Sequence, residues 1–174
     1  MTIGTTAPTL RLPDTAGADH DLASREGATA TVIVFTCNHC PYALAWHDRI
    51  AAVADDYQGN GIAVWCISPN DAGLYPADGP DKMHERVEAE GWRMPYLHDE
   101  SQEVAAGFGA RTTPDVFVLD GDLRVRYRGA PDGDYEDPSQ NAAWLREALD
   151  DLIAGREVAR PESEPVGCSI KWRS

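Results

Sequence analysis

A short apolar run, Ala30-Thr31-Val32-Ile33-Val34-Phe35, leads directly into Thr36-Cys37-Asn38-His39-Cys40-Pro41-Tyr42 and then into a helix pattern. This succession constrains the fold more than anything else in the chain. The run is β-branched and lacks alternation, as expected of a strand buried on both faces of a largely parallel sheet. Behind it, Trp46, Ile50, Val53 and Tyr57 recur at helical spacing, while Asp48, Arg49, Asp55 and Asp56 are expected on the solvent side. The junction therefore places two thiols at the start of a helix, with Cys37 ahead of it and Cys40 one turn in. Unpaired backbone N–H groups and the positive dipole end favour thiolate over thiol there. Cys37 is expected to be the acidic, exposed nucleophile, and Cys40 the recessed thiol that resolves a mixed disulfide. His39 adds positive charge beside Cys37, and Pro41 is tolerated because first-turn N–H groups are unpaired anyway.

Other uses of two close cysteines are open. A structural zinc site wants a second Cys or His pair, whereas Cys66 and Cys168 each stand alone. His39 and His47 remain possible partners for a metal held by the two thiols. A purely structural disulfide across so short a loop removes little chain entropy. No cofactor is called for.

The chain of 174 residues, 43% hydrophobic, suits one domain over about residues 1–155, with 156–174 as a tail. The first residues have neither a basic start nor an apolar run, and no stretch is long enough to span a membrane. A cytoplasmic protein is expected, where such a pair is kept reduced and catalytic. A net charge of −14 disfavours nucleic acid and anionic membranes as partners. Lys82 and Lys171 are the only lysines. An acidic, lysine-poor surface of this kind is what a salt-rich, halophilic cytoplasm screens.

Along the chain, Leu10-Arg11-Leu12 and Asp19-His20-Asp21-Leu22 flank a turn and predict an N-terminal β-hairpin. Ile62 to Ile67 predicts a second buried strand, with Cys66 as a small core residue. Residues 68–80 predict a loop beside the site. Helices are expected at about 81–90, and after Asp99, where Gln102 completes a capping box. Asp120-Gly121 predicts a hairpin turn between Val116-Phe117-Val118-Leu119 and Leu123 to Tyr127. Pro114 stands at the first strand's start, where Thr-Pro can be cis and expose backbone groups beside a site. Asp137-Pro138-Ser139-Gln140 predicts the cap of a last helix burying Leu145, Ala148, Leu149 and Leu152. Gly167-Cys168-Ser169-Ile170-Lys171-Trp172, apolar after a polar arm, either docks on the body or frays. If it docks, Cys168 is a possible third redox thiol.

The order strand, Cys-x-x-Cys helix, strand, helix, Thr-Pro, hairpin and final helix resembles the thioredoxin-like superfamily. Ala7-Pro8-Thr9-Leu10-Arg11-Leu12, Ser68-Pro69-Asn70-Asp71, Thr113-Pro114-Asp115 and the terminal Gly-Cys-Ser-Ile-Lys-Trp, with the Cys-x-x-Cys segment, together resemble its peroxiredoxin-like (redoxin) members. The resemblance implies an α/β thioredoxin-like fold, a central mixed sheet flanked by helices. It implies Cys37 as attacking thiol, Cys40 as resolving thiol and Pro114 as a cis-proline facing them. His39 takes the place of the histidine that makes periplasmic disulfide-introducing oxidases more oxidising. The chain departs from peroxiredoxins, whose Pro-x-x-x-Thr-x-x-Cys pattern would align its cysteine with Cys40 but meets Ile33 and Cys37 here. It departs from thioredoxins in having Thr31 where they bury an aspartate. A thiol–disulfide oxidoreductase acting on protein or small-thiol substrates, with a thiol electron donor, is the expected function. A thiol peroxidase of antioxidant type using Cys168 as resolver, and a metal-binding or metallochaperone module, are the alternatives.

Overall fold

The computed structural model describes residues 1–174. Its centre is β3 (Ala30–Phe35), following a small antiparallel hairpin of β1 (Arg11–Pro13) and β2 (Asp19–Asp21). After β3 come α1 (Pro41–Tyr57), β4 (Ile62–Ser68), α2 (Pro80–Glu90), β5 (Tyr96–His98) and α3 (Glu103–Phe108). Then follow β6 (Thr112–Thr113), β7 (Asp115–Leu119), β8 (Val125–Gly129), α4 (Ala143–Ile153) and β9 (Cys168–Ser169).

Five strands form one mixed sheet in the order β5-β4-β3-β7-β8. The strand β3 runs parallel to β4 and antiparallel to β7, and all six of its residues are buried. Its side chains alternate between two cores. Val32 and Val34 face Trp46, Ile50 and Val53 of α1 and Leu145 and Leu149 of α4. Ile33 and Phe35 face Leu10, Leu22, and Phe108 of α3. This two-sided burial is why the run shows no polar alternation. Thioredoxin-like topology and the N-terminal hairpin are thus as expected.

Three local expectations need correction. Arg49 is buried rather than solvated, because it meets a buried carboxylate far along the chain. Its Nη1 donates to both oxygens of Asp132 at 3.0 and 2.9 Å, and further bonds reach the Asp134 and Tyr135 carbonyls. Asp132 also accepts from Trp46 Nε1 at 3.0 Å and from the Ala142 N–H at 2.9 Å, tying α1 to the entry of α4. Second, Asp137 caps only a short 3-10 turn, Pro138–Gln140. Asn141 and Ala142 then take left-handed conformations before α4 begins, so the expected single helix is divided. Third, Asp99 does accept from the Val104 and Ala105 N–H groups, but Gln102 closes no capping box. Its side chain holds the C-terminal segment instead.

Candidate active site

At the C-terminal end of β3 the chain turns through Cys37, Asn38 and His39 into α1. Cys40 is the N-cap of that helix rather than a residue one turn in, because Pro41 occupies the first helical position. The Cys40 N–H donates to Cys37 Sγ at 3.4 Å. Thr113, bonded to Pro114 by a cis peptide, faces both sulfurs. Its hydroxyl lies 3.4 Å from Cys37 Sγ, and its carbonyl accepts from Cys40 Sγ at 3.4 Å. Cys37, Cys40 and Pro114 are therefore brought to one place.

The expected exposure of Cys37 is overturned: both cysteines are 0% exposed. Tyr42 and the chain's own end pack against them. Strand β9 pairs antiparallel with β6, setting Cys168 opposite Thr113 and Ser169 opposite Thr112. Cys168, half-buried, packs against the Cys37 and Cys40 cluster. The segment is strapped down by side chains from loops beside the site. Asn70 Oδ1 accepts the Lys171 N–H at 2.9 Å, and Gln102 bonds the Lys171 carbonyl and the Arg173 N–H. Ile170, 3% exposed, fills the core above α3. The close approach requires Gly167, where a β-carbon would lie 2.2 Å from the Thr113 carbonyl oxygen. Overpacking of this kind costs about 1–3 kcal/mol. Gly167→Val is expected to lift the strap and speed maleimide labelling of Cys37 and Cys40 by about 10- to 100-fold, in stopped-flow alkylation with mass readout. An unchanged rate would mean that the strap does not guard the pair.

Two neighbouring thiols titrate as a pair, which gives up its first proton below the ordinary thiol range and holds its second far above it. For Cys37, the neighbouring sulfur, burial and the Asp78 carboxylate all oppose charge. For Cys40, the neighbouring sulfur and contact with Cys168 favour charge, and burial opposes it. Hydrogen-bond direction decides the site of the remaining proton. A carbonyl only accepts, so the Cys40 sulfur bonded to Thr113 keeps its S–H, and the Cys40 N–H donating to Cys37 favours the charge there.

His39 turns toward Asp78, with Nδ1 and Oδ2 2.5 Å apart, and stacks on Tyr75. Asp78 is fully buried and also accepts from the Asn38 N–H at 2.7 Å and Asn70 Nδ2 at 3.0 Å. This carboxylate fixes the Cys37 to His39 turn, yet nothing in its sequence surroundings distinguishes it from other loop acids. Cys37, His39 and Asp78 bring one ligand atom each within 4.8 Å of one another and are the group able to approach a metal ion. His47 does not join them. Its Nε2 bonds Thr36 Oγ1 at 2.9 Å and its ring packs edge-on against Trp92.

Burial, reinforced by Arg86, lowers the His47 pKa from 6.5 to about 3. Between those values the unfolded chain binds the extra proton, so this contribution to stability is full above pH 6.5 and is lost as pH falls. Urea titrations from pH 6 to pH 4 are expected to show wild type losing about 1.4 kcal/mol per pH unit more than His47→Gln. Equal slopes would contradict a neutral, buried His47.

Comparison with known proteins agrees with this geometry. The AhpC/TSA family matches residues 3–128. A hypothetical protein from Sinorhizobium meliloti is similar at 35% identity and TM-score 0.94, covering 100% of this chain and 96% of that one. An uncharacterized conserved protein from Geobacillus kaustophilus is similar at 37% identity and TM-score 0.92, covering 99% and 93%. Peroxidoxin BcpB from Mycobacterium tuberculosis shares the fold at 22% identity and TM-score 0.68, covering 90% and 99%. Comparison with curated proteins gives no match. No helix is long and apolar enough to cross a membrane. With a family match across most of its length and two full-length structural relatives, this chain belongs to the AhpC/TSA family, whose thioredoxin-like fold and thiol-based redox chemistry frame its site.

Proposed function

We propose that the protein is a thiol–disulfide oxidoreductase working through the Cys37–Cys40 couple. The supporting observation is the arrangement of Thr113. Its carbonyl orders the Cys40 thiol, its hydroxyl meets Cys37, and its strand edge pairs with an extended chain, here the protein's own β9. Cys37 thiolate attacks one sulfur of a protein or small-molecule disulfide and expels the other as thiolate, giving a mixed disulfide. Cys40, losing its proton, attacks Cys37 Sγ. The substrate leaves reduced, and a Cys37–Cys40 disulfide remains for an outside thiol donor to reduce. The buried carboxylate nearest the couple is Asp78, reached through His39, and this pair is the proton carrier we assign in place of the aspartate that Thr31 replaces. Insulin reduction with dithiothreitol as electron source is the test. Turnover that needs both Cys37 and Cys40 supports the assignment, and turnover surviving Cys37→Ser contradicts it.

One observation favours a second reading, a thiol peroxidase. Cys40 lies at the peroxiredoxin cysteine position, and Cys168 packs against it as a resolver would. Against it, Cys37 stands where the peroxide-activating threonine belongs. Rapid, Cys168-dependent hydrogen peroxide consumption, with no insulin reduction, would favour this alternative.

A further inference from the structure

We propose that Cys168 is a third redox thiol of this site, a relay that exchanges the buried Cys37–Cys40 disulfide for a Cys40–Cys168 disulfide within reach of an outside thiol. The proposal rests on the oxidoreductase reading above, and it concerns how electrons enter the covered pair.

The need for a relay follows from the burial. Cys37 and Cys40 are 0% exposed beneath the strap, whereas Cys168 is half-buried with one side toward solvent. An outside thiol therefore meets Cys168 first. The placement suits exchange. Antiparallel pairing fixes Cys168 opposite Thr113, the residue whose carbonyl accepts from Cys40 Sγ, and the Cys168 side chain packs on that sulfur. Gly167 lets the strap come this close, and Asn70, Gln102 and Ile170 hold it in register. Such a set of anchors is more than a frayed end requires. The strap also lies where an extended substrate pairs with β6, so the protein carries its own cysteine in the substrate's place.

The step balances without an added oxidant. Cys168 gives its proton to solvent and attacks Cys40 Sγ of the Cys37–Cys40 disulfide. The Cys40–Cys168 bond forms as the Cys37–Cys40 bond breaks, and Cys37 leaves as thiolate, received by the Cys40 N–H and the Thr113 hydroxyl. A low-molecular-weight thiol then attacks Cys168, Cys40 leaves, and a second thiol reduces the resulting mixed disulfide. In the reduced protein, burial and the Cys40 sulfur raise the Cys168 pKa to about 11, with Lys171 opposing. Once Cys40 is in a disulfide, its contribution to that rise is removed, and Cys168 ionises more readily. The thiol is thus quiet at rest and active after oxidation.

The test uses full-length wild type, Cys37→Ser and Cys168→Ser, each fully reduced, treated with oxidised glutathione, acid-quenched, alkylated and mapped by mass spectrometry. A Cys40–Cys168 disulfide is expected as the main product of Cys37→Ser and alongside Cys37–Cys40 in wild type. Reduction of the oxidised protein by glutathione is expected to be at least about tenfold slower in Cys168→Ser. Absence of Cys40–Cys168 from both wild type and Cys37→Ser, or equal reduction rates with and without Cys168, overturns the relay. Failure of Cys168→Ser to form Cys37–Cys40 instead overturns the oxidoreductase reading beneath it.

Discussion

Replacing Cys37 by serine is expected to lower insulin-reduction turnover by at least about 10³-fold, the scale on which removing an attacking nucleophile acts. The hydroxyl that results is not ionised at neutral pH, and the donors that hold a thiolate, the Cys40 N–H and the Thr113 hydroxyl, then face a group with no charge to stabilise. Cys40→Ser is expected to fail differently. Attack by Cys37 still proceeds, but nothing resolves the mixed disulfide unless Cys168 or an outside thiol reaches it. A substrate adduct on Cys37 should therefore accumulate in Cys40→Ser and be visible by intact mass. Adduct on Cys40 in Cys37→Ser, with full turnover, would reverse the assigned roles.

Asp132→Ala is the substitution with the largest expected effect on stability. The carboxylate is fully buried and receives Arg49, Trp46 Nε1 and the Ala142 N–H. Its removal leaves a guanidinium 5% exposed without its counter-charge. Breaking a buried pair from one side costs about 3–5 kcal/mol, against about 5–15 kcal/mol for a whole domain. Urea unfolding at fixed salt should show that loss, and Arg49→Met with Asp132→Leu should recover part of it, since removing both charges leaves none unpaired. A loss below about 1 kcal/mol would show that Arg49 finds water or another acceptor.

The parts of the fold legible in the sequence are those written in short-range patterns. Ala30 to Phe35 announces a two-faced strand because every residue is apolar or β-branched, and Asp120-Gly121 announces a turn through its own backbone preferences. Cys37, Cys40 and Pro114 were legible for the same reason, each sitting in a recognisable local motif. What stayed hidden depends on long-range pairing. Arg49 falls on the polar side by helical spacing alone, and its partner Asp132 lies 83 positions away. Asp78 gains its place only when the loop after β4 folds against Asn38 and His39. Cys168 reaches the buried Cys37 and Cys40 cluster only through docking of the C-terminal segment, which relies on Asn70 and Gln102 side chains that serve no such role in their own local structure. Gln102 in particular suits a capping box by spacing, and tertiary hydrogen bonding to the strap takes it instead.

Everything proposed for this site depends on Cys37 and Cys40 forming a reversible redox couple. That couple is tested most directly by titrating Cys168→Ser in glutathione buffers at high salt, with alkylation and mass mapping at each potential. The expected result is one two-electron transition in which a Cys37–Cys40 disulfide appears and disappears reversibly while Cys66 stays reduced. If Cys37 and Cys40 never pair, or pair only with glutathione, the couple does not exist and the account fails.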